Sequence, residues 1–135
     1  MHQFDLKNKV AIITGGAQGF GLEIAKKFLL SGSKVFIWDI DEKELNKAIK
    51  EINNPNLNYH VVDVSNFDQV EKAVSDISSN NKIDILINNA GITGPTAKLW
   101  DYNIKDWNSI IDINLNGTFY CCKSRVPNMI KNNYG

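Results

Sequence analysis

Thr14-Gly15-Gly16-Ala17-Gln18-Gly19-Phe20-Gly21 decides how this chain is read. It follows an apolar run, Val10 to Ile13, and opens a helix-like run, Leu22 to Leu30. Glycines in a strand-to-helix turn let backbone N–H groups approach a phosphate, and the helix N-terminus adds partial positive charge. Gly15 permits the tight exit from the strand, Gly19 lets the backbone meet a pyrophosphate, and Gly21 lets the helix pack close to the sheet. The spacing is G-x-x-x-G-x-G, and the Lys-Ser/Thr ending of a Walker A loop is missing. A glycine-rich loop alone can be an ordinary turn. Its place between a strand and a helix makes it a nucleotide-binding signal.

Strands and helices alternate on both sides of that turn. Lys9 to Thr14 reads as strand one, Lys34 to Asp39 as strand two, Asn58 to Val62 as strand three and Ile83 to Ile87 as strand four. Phe20 to Ser31, Asp41 to Ile52 and Asn66 to Ser78 read as amphipathic helices. Gly32 ends the first and Asp41 caps the second. Asn88 to Asn103 is irregular. Lys105 to about Lys131 is a long helix, kinked near Asn114 to Gly117 and again at Pro127. This alternation predicts an α/β fold: a Rossmann-type, doubly wound parallel sheet with helices on both faces. With four strands in order 3-2-1-4, the sheet is incomplete. Strand four reads as a central strand, so its free edge predicts poor stability for residues 1–135 alone.

The chain has 135 residues, 43% of them hydrophobic, enough for one domain with a core. Fifteen basic and fifteen acidic residues cancel, which argues against nucleic acid or an anionic membrane as partner. No apolar run approaches the ~20 residues that span a bilayer. Met1 to Asp5 lacks signal-peptide character, and the expected location is cytoplasmic. Cys121 and Cys122 are expected to be reduced thiols, since a vicinal disulfide in a helix is strained. No metal site is expected, because His2 and His60 are far apart and no CxxC occurs.

Three further strand ends carry chemistry. Asp39 lies 24 residues after Gly15, where an acidic side chain can accept from ribose hydroxyls and repel a 2′-phosphate. No Lys or Arg lies in the glycine turn or beside Asp39, and Lys43 is the nearest base, which favours NAD over NADP. Asp63-Val64 follows strand three. Asp63 can accept from an adenine amino group or cap the next helix, a task Ser65 or Asn66 could also take. Asn88-Asn89-Ala90-Gly91 follows strand four. Its small residues leave room for a flat ring, and its amides can tie strand ends together.

Together these motifs resemble the short-chain dehydrogenase/reductase family in its compact single-domain subgroup. Thr14 to Gly21 matches that subgroup's T-G-x-x-x-G-x-G, and Asn88 to Gly91 its N-N-A-G. Asp63 matches the adenine-contacting aspartate, and Asn114 the catalytic asparagine. The stretch from Gly91 to Tyr134 looks like the 3-oxoacyl-carrier-protein reductase type and the sugar or sugar-acid dehydrogenases near it. The resemblance implies hydride transfer between a nicotinamide cofactor and an alcohol or carbonyl substrate. It implies cofactor binding by Gly15, Gln18, Gly19, Phe20, Gly21, Asp39, Asp63, Val64, Asn89, Ala90 and Gly91. It also implies a homo-oligomer, dimer or tetramer, in the complete protein, joined through the helix after Asn114.

In that family a tyrosine moves the hydroxyl proton, a lysine four residues later lowers its pKa, and a serine steadies the substrate oxygen. The asparagine shapes the long helix and holds a water of the proton relay. No Tyr-x-x-x-Lys occurs in this chain, and the relatives' spacing places that motif and the serine beyond Gly135. Tyr120 and Lys123 are three apart and read as structural or interface residues, and Trp100 and Trp107 as packing residues flanking the site entrance. The expectation is the N-terminal dinucleotide-binding part of one domain, cut before strand five and inactive alone. A non-catalytic NAD-binding half-domain or a gene remnant is the alternative.

Overall fold

The computed structural model describes residues 4–135. The reading of the chain start at Met1 to Gln3 therefore lies outside the described residues. Four strands, β1 (Val10–Thr14), β2 (Lys34–Asp39), β3 (Leu57–Val61) and β4 (Ile85–Ile87), form one parallel sheet in the order β3-β2-β1-β4. β1 is the keystone: Ile12 stands opposite Phe36 on one side and Leu86 on the other, and all five of its residues are buried. An apolar run without alternation suits such a strand, because both its faces are covered.

Helices cover the two faces. On one, α1 (Gly19–Leu30) and α2 (Glu42–Ile52) bring Ala25, Leu29, Leu45 and Ala48 against Ile13, Val35 and Ile37. On the other, α3 (Phe67–Ser78) sets Val70, Ala73, Val74 and Ile77 against Val10, Ile12, Phe36 and Trp38. The helix ends follow their sequence signals. Asp41 caps α2 by accepting from the N–H groups of Lys43 and Glu44. After α1, Gly32 turns left-handed at φ 89°. Its N–H donates to Leu29 O and that of Ser33 to Phe28 O, a paired closure of the last carbonyls.

The long helix runs as three segments: α4 (Ile104–Ile111), a π turn (Asp112–Asn116) and α5 (Gly117–Lys131). The π turn falls at the expected kink, and the Gly117 N–H closes it by donating to Asp112 O, five residues back. Pro127 lies inside α5 without ending it. Both Pro127 and Lys123, whose carbonyl loses its partner, are exposed, so water can satisfy the loss. The buried face of α5 is Gly117, Cys121 and Arg125, while Phe119 and Ile130 face outward. At its start the helix comes close to the sheet, so Gly117 faces inward: a Cβ there would stand 2.7 Å from Val64 Cγ2.

Two further expectations are corrected. Trp100 does not pack: it is 78% exposed, in a 3₁₀ turn at Leu99–Asp101. Trp107 makes an edge contact with Tyr102 and stays half exposed. Strand four is shorter than expected. Ile83 and Asp84 are buried just before it, and Ile85–Ile87 are half-buried, since among the described residues β4 pairs with β1 alone. No described helix is long and apolar enough to cross a membrane.

Candidate functional site

All four strands point their C-terminal ends at one edge of the sheet, where the loops after them meet. There they line a cleft of about 490 Å³, within the size range of small-molecule and cofactor sites. Gly15, Gln18 and Phe20 come from the glycine turn, Asp39 from β2, Asp63 and Val64 from beyond β3, and Asn89, Ala90 and Gly91 from beyond β4. Nine of the eleven residues expected to bind cofactor therefore line one space. Gly19 borders it at φ 57°, with nothing within 4 Å of where a Cβ would stand, so the start of α1 is open to solvent. Gly21 sits behind it, where a side chain would collide with the Gly15 carbonyl and the Asn89 amide. Its value is close packing, as its position in the turn predicts.

The cleft is held by hydrogen bonds between the loops. Asp39 is fixed at both oxygens: Ala17 N–H donates to Oδ2 at 3.3 Å and Asp41 N–H to Oδ1 at 3.2 Å. This ties the end of β2 to the glycine turn. Thr14 Oγ1, buried at the end of β1, accepts from the N–H groups of Asn89 and Ala90, both at 3.0 Å. Asn89 Nδ2 returns the link by donating to the carbonyls of Thr14 and Gly15. The first asparagine of the pair does something else: Asn88 Nδ2 reaches Cys122 Sγ of α5 at 3.4 Å. Asp63 does not cap α3, since Asn66 takes that task by accepting from Gln69 N–H.

Asn114 stands behind the cleft, in the π turn. Its Oδ1 accepts from Ile92 N–H at 2.9 Å and its Nδ2 donates to Ile92 O at 2.8 Å. Both ends of the amide are thus spent on one backbone residue just past Gly91, which holds that loop in place. Ile92 and Ile113 line the cleft, together with Trp38, Ile40, Asp41 and Val62. None of these six is among the residues that the sequence motifs place at the cofactor, although Asp41 is expected as a helix cap. Ile40 and Ile92 carried a signal, being large apolar residues next to motif positions. Phe20 is 86% exposed and Ile40 67%, apolar side chains left open at the lip of the cleft among the described residues. Neither thiol lines the cleft: both are free, and burial pushes Cys121 up to about 12.

A sequence model of the short chain dehydrogenase family matches residues 9–135, nearly the whole chain. The chain belongs to the short-chain dehydrogenase family. It is 41% identical over 130 residues to a 2-dehydro-3-deoxy-L-rhamnonate dehydrogenase (NAD(+)) of Sphingomonas sp. strain SKA58, covering 94% of this chain and 51% of that protein. It is 39% identical to a 3-oxoacyl-(acyl-carrier-protein) reductase of Chlamydia pneumoniae, covering 93% and 52%. Among solved structures, a short chain dehydrogenase from Bacillus anthracis superposes with a TM-score of 0.89 at 36% identity, covering 96% of this chain and 54% of that one. The chain spans about half the length of the curated relatives it matches.

Proposed function

We propose that this chain is the cofactor-binding part of an NAD-dependent oxidoreductase acting between an alcohol and a carbonyl. The observation that carries this reading is the convergence of four separate strand ends on one cleft, whose loops are tied together by hydrogen bonds. Gly15 and the open turn at Gly19 fit a pyrophosphate, which would meet N–H groups and the positive end of α1. Asp39 fits the adenosine ribose. Asp63 and Val64 fit the adenine, since Val64 N–H has no partner among the described residues and Asp63 offers a free carboxylate oxygen. Asn89, Ala90 and Gly91 leave a low backbone wall for the nicotinamide end, and Gln18 and Phe20 close the rim.

When bound, the dinucleotide supplies or takes up the hydride. The chain's own residues bind and orient it. Asp39 excludes a 2′-phosphate by charge, because a fixed carboxylate beside that position repels a dianion. Asn114 orders the loop after Gly91 that borders the reacting end. The substrate is a small alcohol or carbonyl compound, of the sugar-acid or 3-oxoacyl type named for the relatives. Residues 1–135 are read as the N-terminal part of a single domain whose complete form is a cytoplasmic homo-oligomer.

Titration of the chain with NADH and NADPH, followed by nicotinamide fluorescence, tests the reading. NADH is expected to bind more tightly than NADPH. Asp39→Ala should weaken NADH about tenfold, the scale of a charge-assisted hydrogen bond lost, and narrow the gap between the two cofactors. Equal affinity of the unaltered chain for both, unchanged by Asp39→Ala, would refute the ribose role.

A further inference from the structure

Asp63 is more ordered than a loop carboxylate needs to be. Its Oδ1 accepts twice from Ser65, from the N–H at 2.9 Å and from the hydroxyl at 2.6 Å. The second distance is that of a strong charge-assisted bond. The Asp63 N–H donates to Gln69 Oε1 at 2.9 Å, so the backbone is held as well. No partner of Oδ2 occurs among the described residues, and Asp63 lines the cleft. Helix capping does not explain this arrangement, because Asn66 already caps α3.

We propose that Ser65 is a positioning residue for recognition of the purine. By occupying Oδ1 with two donors, it leaves Oδ2 as the one acceptor presented to the cleft, matched to an exocyclic amino group. This inference rests on the dinucleotide reading above. The chemistry predicts a preference between two bases. Adenine offers a 6-amino donor, whereas hypoxanthine offers a carbonyl acceptor, which a carboxylate oxygen repels. The same lock acts on an amide. In Asp63→Asn the amide oxygen must take the place of Oδ1, because an NH₂ group there would face the Ser65 N–H. The NH₂ is then turned to the cleft, where it pairs with hypoxanthine and not with adenine.

The test is fluorescence titration of the chain with NADH and with its analogue, reduced nicotinamide hypoxanthine dinucleotide. The unaltered chain is expected to prefer NADH. Ser65→Ala should weaken NADH about five- to tenfold, the scale of one hydrogen bond, and the analogue less than about twofold. Ser65→Thr, which keeps the hydroxyl, should restore NADH binding. Asp63→Asn should invert the preference, and adding Ser65→Ala to it should shrink the inversion. Equal loss of both ligands in Ser65→Ala would mean a merely structural serine and overturn the proposal. Loss without inversion in Asp63→Asn would overturn it too, and that variant decides the matter if Ser65→Ala does not fold. If the unaltered chain, shown to be folded by circular dichroism, binds neither ligand, the dinucleotide reading falls and this inference falls with it.

Discussion

β1 and β4 are neighbours in one sheet and read alike, yet they live in different surroundings. Every residue of β1 is buried, with a strand on each side and helices above and below. Every residue of β4 is half-buried, with β1 alone beside it. The contrast extends to the helices. Against β1 and β2, α1 and α2 bury Ala25, Leu29, Leu45 and Ala48. On the side of β4, the π turn and α5 leave Leu115, Phe119 and Ile130 largely exposed. The same apolar chemistry is spent in one flank and unspent in the other. Apolar burial supplies most of the favourable free energy of folding, so the two flanks cannot be equally stable.

The contrast can be broken outright by a thermal melt. The isolated chain is expected to unfold over a broad range and to associate through the β4 edge. A soluble monomer with one sharp transition would show that the open flank costs little. Single substitutions sharpen it. Ile12→Ala in β1 should cost about 2–5 kcal/mol in a urea titration, the range for a large core residue cut to alanine. Ile130→Ala on the open face of α5 should stay within about 0.5 kcal/mol. Comparable costs at the two sites would erase the distinction.

Asp84 joins the flanks, since its Oδ2 accepts the buried N–H of Val10 at 3.0 Å. Asp84→Ala leaves that donor unpaired and should cost about 1–3 kcal/mol by the same titration. A loss much below this would mean that water reaches the start of β1.

The smallest effect concerns pH. His60 on β3 lies against Phe36, and burial lowers its pKa below the ordinary 6.5, partly opposed by Asp76. The unfolded chain then takes up a proton that the folded chain resists. His60 costs nothing well above pH 6.5, and stability falls as pH drops through 6.5 toward the folded pKa. Below the folded value the loss is complete. His60→Gln should flatten that part of the stability profile, and an unchanged slope would place its cause elsewhere.

The same contrast governs what could be read from sequence. The positions of β1, the glycine turn, Asp39 and Asn88 to Gly91 were legible because β1 is an apolar run and each motif ends or directly follows an apolar strand. Glycines at 15, 19 and 21 and a carboxylate at a strand end state their geometry. The facing of α5 was not legible. Its apolar residues Phe119, Cys122, Val126 and Ile130 do not by themselves name the core side, and Gly117 and Cys121 lie inside, where the backbone at Gly117 comes close to Val64. Apolar periodicity locates a buried face only when bulk, and not proximity, fills the space. Partners of hydrogen bonds were also out of reach: nothing in Asp63-Val64-Ser65-Asn66 says which of the last two would cap the helix and which would grip the carboxylate.

The π turn at Asp112–Asn116 sets the phase of everything after it. Each residue of an α-helix advances the side-chain direction by about 100°. Trimming one residue from the widened turn would swing α5 by that angle as a rigid screw. Gly117 would leave Val64, and a bulkier neighbour would arrive in its place. Asn114, in the middle of the turn, would at the same time lose its grip on Ile92. One five-residue segment therefore times two gears, the meshing of a helix with the sheet and the alignment of a loop with the cleft. Neither can be retuned without the other.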